Sequence, residues 1–412
     1  MLVCFPKVLW PLAMNADFSK TWCRQLLLAV LTFVVTATAT APVSHAGESQ
    51  GFTTKAPRAA LMDAATGEIL FQRNADELAP PASLSKLMTL AVLFKAMKAG
   101  KVSPSDEFTM SVNAWRHGGA PSGTSAMMVP VNTKARVDEL IQGIVVQSGN
   151  DACISVAENL GGNEAGFAKM MTEEARRIGL PKSTFANATG LYDQNHLMTA
   201  RELAMLARYI ITEYPDRYAV FGQKQFDYRK HKFINRNPLL FLGIGADGMK
   251  TGHIQQAGYG LVGSAVQDGK RLIVVVAGHP TAEERKEEAA KLLDWGFKSF
   301  SPVKIYDDGE IIGQARVWGG NIMYVPLAGH GDVTISLPKF PANQRLSAEI
   351  VYKAPLKPPV RKGDKVAVLK VTSTSSAQTE IPLFATQDVE PAGIVRRGFD
   401  TLVLMALRRL AL

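Results

Sequence analysis

Ser83 and Lys86 stand three residues apart in Pro81-Ala82-Ser83-Leu84-Ser85-Lys86, at the head of a stretch that stays apolar on nearly every side from Leu84 to Met97. A stretch without a wet face predicts a helix enclosed by protein. Pro80 and Pro81 bar an earlier helix and Gly100 marks the end of this one. At this spacing the hydroxyl and the ammonium share one face, beside the free N–H groups and positive dipole end of the helix start. A serine hydroxyl is too weakly acidic to attack a carbonyl unaided, so it needs a base within hydrogen-bond reach. A lysine serves when burial or a second cation lowers its pKa. The pair is a candidate nucleophile and base, but one S-x-x-K recurs by chance and needs partners.

Two further signals supply them. Ser148-Gly149-Asn150 follows directly on a predicted helix ending near Gln147, and Lys250-Thr251-Gly252 falls on a predicted strand ahead of Tyr259. Two lysines converging on one pocket disfavour each other's charge, which lowers the pKa of the more buried one and leaves the other cationic for an anionic substrate. Lys86, inside the buried helix, is the expected base and Lys250 the expected cation.

In this order S-x-x-K, S-x-N and K-T-G come close to the signature of penicillin-binding proteins and serine β-lactamases, with S-x-N in place of S-D-N. With Ser148-Gly149-Asn150-Asp151-Ala152-Cys153, Asp247-Gly248-Met249-Lys250-Thr251-Gly252-His253 and Ala257-Gly258-Tyr259, the chain resembles the low-molecular-mass penicillin-binding proteins. Within these it is similar to the D-alanyl-D-alanine carboxypeptidases with a C-terminal membrane anchor, over nearly all of the mature chain. The resemblance implies a penicillin-binding/serine β-lactamase-like catalytic domain in which Ser83 is acylated and Lys86 activates it. It also implies that Ser148 and Lys250 pass protons and position the substrate, that Asn150 holds a peptide carbonyl or side chain, and that Thr251 meets the terminal carboxylate. Gly252 and His253 complete the binding strand, and the backbone N–H groups of Ser83 and His253 would form the oxyanion hole. The implied substrate is a peptidoglycan stem peptide ending in D-Ala-D-Ala, with β-lactams as covalent inhibitors and no cofactor. A D,D-endopeptidase, a β-lactamase and a non-catalytic penicillin-binding receptor or scaffold are the alternatives on the same fold. Some relatives place an arginine after the strand that ends here at Ala277, where this chain reads Gly278-His279-Pro280; His279, Arg285 or neither takes that part.

The elements that must position these residues read as follows. Ala59 to Met62 and Ile69 to Phe71 predict a β-hairpin, and Tyr259 to Val266 pairs through Asp268-Gly269 with Leu272 to Ala277. Apolar spacing from Val137 to Val145, Phe167 to Ile178 and Leu203 to Ile211 predicts core-facing helices, the last opening with a Thr199-to-Glu202 capping box. Residues 102–131, rich in Gly, Pro and Ser, read as a mobile loop over the site. A final helix is expected from about Thr281 to Trp295. Strands at both ends with helices between predict one α+β catalytic domain, 52–297, with an antiparallel sheet assembled from distant segments. Short β-rich runs then predict a small all-β C-terminal domain, 301–390.

The chain has 412 residues, 47% hydrophobic, with a formal net charge of +9. That composition supports a substantial core and an attraction to anionic surfaces; no nucleic-acid module is present to suggest that partner. His196, His231, His253, His279 and His330 lack metal-ligand spacing. Lys20 and Arg24 precede an apolar run from Leu26 to Val35 and then Ser44-His45-Ala46, the layout of a signal peptide over residues 1–46, starting at Met1 or Met14. Export leaves Cys153 as the one cysteine, so no internal disulfide forms. In the tail, 391–412, Val395, Phe399, Leu402, Val403, Ala406 and Leu410 share one side of a helical wheel, with Arg397 and Arg408 nearly opposite and Arg396 and Arg409 flanking. Such a helix is expected to lie in the plane of an anionic membrane, which the resemblance implies is the periplasmic face of the inner membrane, with the β domain as a stalk.

Overall fold

The structure, a computed structural model, describes residues 8–10, 52–339, 346–373 and 379–410. Apart from Val8–Trp10, the expected signal segment lies outside the described residues. At the centre is a five-stranded antiparallel sheet in the order Ile69–Arg73, Arg58–Asp63, Lys270–His279, Gly258–Gln267, Ala246–Ile254. The start of the catalytic region therefore pairs with its end, Leu61 opposite Val274 and Ala59 opposite Val276. The strand-rich run Leu272-Ile273-Val274-Val275-Val276 explains why: Ile273 and Val275 enter the core on the helical side, while Leu272, Val274 and Val276 enter the core on the other face. A strand covered on both faces tolerates no polar alternation. Asp268 and Gly269 both have positive φ, 50° and 76°, as the two-residue turn of a right-twisted hairpin requires.

On one face the helix that follows Ser83, Lys86–Lys98, is surrounded by the helices Asn150–Gly161, Glu164–Arg177 and Ala200–Glu213. Leu87, Leu90 and Leu93 are 0% exposed. Each such side chain contributes about 1.5–3 kcal/mol by leaving water. The opposite face is covered by the helix Ala282–Ser299, which starts where the Thr281 hydroxyl accepts from Glu284 N. The α+β architecture expected for this region is the one observed.

Two local expectations need revision, and one element was not expected. Residues 102–131 are not one loop. Glu107–Thr109 pairs with Lys134–Arg136, and Ser111 caps a helix Val112–Gly118 by accepting from Ala114 N at 2.9 Å. The capping box is half formed: Thr199 Oγ1 accepts from Glu202 N, but the Glu202 carboxylate turns away to accept from Lys182 N, Ser183 N and Ser183 Oγ. A hairpin absent from the sequence reading, Gln225–Tyr228 with His231–Ile234, lies between helix and sheet. Its inward Phe226, Tyr228 and Phe233 join the helical core, but a turn of two cations hid the pattern.

Among the described residues every helix or strand from Phe300 to Ala385 is a strand, as expected of a small all-β domain. Phe300–Tyr306 pairs with Val333–Pro338, and a second sheet runs Val8–Trp10, Leu346–Val351, Lys365–Ser373, Thr379–Ala385, Tyr324–Ala328, Ile311–Arg316. Polar contacts join it to the catalytic region: Ser336 Oγ donates to Asp63 Oδ2 at 2.5 Å and Lys339 N to Ser299 O at 2.8 Å. The tail forms a helix, Ile394–Leu410. Its Asp400 is buried and accepts from Gly319 N at 2.8 Å, and Trp318 Nε1 donates to Thr401 Oγ1 at 3.3 Å. Val395, Phe399 and Leu402 are left exposed. Among the described residues no helix is long and apolar enough to cross a membrane.

Candidate active site

Ser83, the candidate nucleophile, sits on a tight turn rather than in the α-helix proper. Ala82–Ser85 forms a single 3-10 turn leading into Lys86–Lys98, and Ala82 holds a positive φ of 51°. Gly190, at φ +77°, lies so close that a Cβ there would drive into the Ala82 carbonyl oxygen. Only glycine permits this approach. Its neighbour Thr189 presents its carbonyl oxygen to Lys86 Nζ, which also donates to Ser83 Oγ at 2.9 Å.

Lys86 is 0% exposed, and burial, the largest effect, pushes its pKa down to about 8. Lys250 is 2% exposed and donates to Thr251 O at 3.1 Å; burial, then the nearby Lys86 and Arg236, holds it well below the ordinary lysine value. Burial therefore does not separate the two lysines, contrary to the sequence argument. Contact does: Lys86 reaches Ser83 Oγ and carries the pKa of a base effective near neutrality.

Ser148 follows the one-turn π-helix Gly143–Gln147 in a left-handed conformation, φ 63°, and its buried hydroxyl meets no hydrogen-bond partner among the described residues. Asn150 opens the next helix. Its Nδ2 donates to Thr124 Oγ1 at 2.9 Å, while its Oδ1 is also buried without a partner among the described residues. Such atoms are costly to bury unless something else completes them. The adjacent Asp151 carboxylate accepts from Met127 N at 2.8 Å and from Val129 N at 3.3 Å, so the strip expected to be mobile is pinned along the pocket edge.

A cavity of about 460 Å³ opens here, lined by Ser83, Thr124, Ser125, Asn150, Gly190, Arg236 and His253. Lys86, Ser148 and Lys250 lie buried behind it, and Thr251 is 7% exposed. The edge strand Ala246–Ile254 carries Lys250 to His253; a Cβ on Gly252 would crowd Leu84 and the Pro81 carbonyl, so glycine lets strand and nucleophile turn meet. His253 stacks on Tyr259 with ring centroids 3.9 Å apart. Arg285 lies 5.8 Å from the Tyr259 ring, and His279 is wholly buried; neither lines the cavity.

The sequence reading missed Thr189, Gly190, Asp151 and Arg236. Arg236 Nη1 donates to Ser125 Oγ at 2.6 Å across the pocket wall. No periodicity marks it; a Thr-Gly pair was the only local signal for the 189–190 turn.

A family model described as D-alanyl-D-alanine carboxypeptidase matches residues 43–281, and one described as the C-terminal domain of penicillin-binding protein 5 matches residues 300–391. The chain is 35% identical to the D-alanyl-D-alanine carboxypeptidase DacC of Escherichia coli over 347 residues, 84% of this chain and 86% of that one. It is 36% identical to DacA of Haemophilus influenzae over 346 residues, 84% and 88% of the two chains. The crystal structure of penicillin-binding protein 5 from Haemophilus influenzae superposes with a TM-score of 0.71 at 35% identity, covering 82% of this chain and 99% of that one. The chain belongs to the D-alanyl-D-alanine carboxypeptidase family, the serine-type peptidases that bind penicillin.

Proposed function

We propose that Ser83 attacks the carbonyl between the last two D-alanines of a peptidoglycan stem peptide while Lys86 Nζ takes its proton. The C–N bond then breaks, terminal D-Ala leaves as the amine after receiving a proton relayed by way of Ser148, and an ester remains on Ser83. Water, deprotonated by the same relay, hydrolyses the ester and returns the hydroxyl. Lys250 and Thr251 receive the substrate's terminal carboxylate, whose charge raises the Lys250 pKa and holds that ammonium cationic. Asn150 turns its unpartnered Oδ1 to a substrate amide, and the backbone N–H groups of Ser83 and His253 receive the oxyanion. β-Lactams acylate the same hydroxyl. The observation that carries this reading is the 2.9 Å contact between Ser83 Oγ and a wholly buried lysine whose pKa is depressed to about 8.

The chain is exported with a signal peptide ending at Ala46, and its tail helix lies on the anionic periplasmic surface of the inner membrane. Support comes from the polar side of that helix facing the β domain through Asp400 and Thr401 while Val395, Phe399, Leu402 and Met405 face outward. Incubating purified protein with a muropeptide ending in D-Ala-D-Ala tests the activity: free D-Ala appears with wild type and not with Ser83→Ala. Equal release by both would overturn the mechanism.

A further inference from the structure

The net positive charge of this protein is concentrated in three segments of the chain. The chain has 46 Lys and Arg against 37 Asp and Glu. Residues 1–46 hold three cations against one acid, residues 391–412 four against one, and residues 224–236 five against one, Asp227. The remaining residues balance. Between the leader and the tail, all net positive charge therefore belongs to one 13-residue segment, the hairpin Gln225–Tyr228/His231–Ile234 and its flanks.

This hairpin is built to hold those charges outward. Phe226, Tyr228 and Phe233 anchor its inner face, with Phe226 stacked on both others. Arg229 and Lys230 form the two-residue turn, Arg229 at φ 53°, and Lys232 stands outward opposite Asp227. Among the described residues none of Lys224, Arg229, Lys230, Lys232 and Arg236 makes an ion pair, whereas the helical surface pairs Lys95, Lys98 and Arg177 with acids. Five cations crowded around a single acid repel one another, and an anionic partner relieves that repulsion.

The patch is also continuous with the pocket. The hairpin packs on Gly143–Gln147, the segment that delivers Ser148, and its C-terminal flank ends in Arg236, which lines the cavity and bonds Ser125 beside Asn150. We infer that this hairpin is a docking surface for the acidic peptide arms of the polymeric substrate: carboxylates upstream of the cleaved bond, or on neighbouring stems, pair with Lys230 and Lys232 and the path of charge leads to Arg236 and the nucleophile. The inference rests on the carboxypeptidase reading and extends it from bond cleavage to choice of substrate. A membrane surface is the poorer fit, because the hairpin borders the pocket whereas the tail helix sits on the β domain through Gly319 and Trp318.

The test uses full-length protein, the pair Lys230→Gln/Lys232→Gln and the pair Lys230→Glu/Lys232→Glu. Substrates are a neutral acylated D-Ala-D-Ala peptide and synthetic glycopeptide oligomers bearing D-Ala-D-Ala stems, with the upstream carboxylates either free or amidated. Charge reversal should lower kcat/KM on the free-carboxylate oligomer about tenfold at low salt, and neutralisation by less. Raising salt to about 0.5 M should erase the difference. Both pairs should stay within about twofold of wild type on the amidated oligomer and on the small peptide, which also shows that they are folded. Equal losses on free and amidated oligomers, or no loss on either, would overturn the inference. So would unchanged oligomer turnover accompanied by lost binding to phosphatidylglycerol vesicles, which would assign the patch to membrane. Failure of wild type to cleave the small peptide would count against the carboxypeptidase reading instead.

Discussion

At the scale of single residues the proposed mechanism turns on how easily one buried amine gives up its proton next to one hydroxyl. Lys86 loses its water on folding, which lowers its pKa to about 8 and enlarges the neutral fraction that the proposed base role requires. Because the neutral fraction grows with pH through about 8, acylation by a labelled penicillin should fall about tenfold per pH unit below that value and level off above it. A plateau reaching down to about pH 6 would contradict the assignment. Lys86→Arg should lower acylation by about 10³-fold, since a guanidinium does not give up its proton, whereas Lys250→Arg keeps a cation and should lose far less. The opposite ranking would exchange the roles of the two lysines. Gly190→Ala should slow acylation and cost about 1–3 kcal/mol in thermal denaturation, because its Cβ would push the Ala82 carbonyl and the nucleophile turn with it. Ser83, Lys86 and Lys250 were legible in the sequence because their chemistry is fixed by side chain and spacing. Thr189 contributes only a backbone carbonyl and Gly190 only the absence of a Cβ, so nothing in their types announces them.

Elements position the site through their ends and edges. The nucleophile helix, the edge strand Ala246–Ile254 and the helix Asn150–Gly161 each deliver their reactive group at a terminus or an edge, where backbone and side chains are still open to a ligand. The helix starting at Thr199 also holds the segment before Thr189. Glu202, 3% exposed, accepts from Lys182 N, Ser183 N and Ser183 Oγ instead of closing its own capping box. Glu202→Ala leaves these donors unpaired and should cost about 1–3 kcal/mol by denaturant unfolding while also slowing acylation. Unchanged acylation in a destabilised variant would mean that Thr189 is held by other contacts. Helices with a clear apolar stripe were readable, as was the hairpin through Asp268-Gly269. The capping box misled because Ser183 and Lys182, distant in the pattern, compete for the same carboxylate. The hairpin Gln225–Ile234 escaped because its strands are four residues long and its exposed face is charged.

At the scale of the molecule the catalytic region and the β domain meet through buried carboxyls. Glu68, 6% exposed, is raised from an ordinary 4.5 to about 7, chiefly by burial, against hydrogen bonds from the Thr379 side chain and the Ser336 backbone. A carboxyl with a raised pKa keeps its proton in the folded state, so its contribution is full below pH 4.5 and is lost as pH rises through about 7. Glu68→Gln carries no such charge. Its melting temperature should therefore gain on wild type between pH 5 and pH 8, a range about the two pKa values. A difference constant with pH would show that Glu68 does not titrate at the junction. Deleting the chain after Glu390 should release the protein from membranes and leave hydrolysis of a soluble D-Ala-D-Ala peptide unchanged, because the tail helix contacts the β domain rather than the pocket. A truncated protein that stays on the membrane would assign the anchor elsewhere. The order of the two domains was legible because β-rich texture replaces helical periodicity near Ser301. How they join was not, since Asp63, Glu68 and Ser336 are ordinary polar residues until folding buries them together.

The central claim is that Ser83 is the acylated residue, and peptide mapping of the protein after reaction with a penicillin tests it most directly. The adduct mass should fall on the peptide containing Ser83, fragment at Ser83, and vanish in Ser83→Ala. An adduct on Ser85 or Ser148, or one that persists in Ser83→Ala, would contradict it.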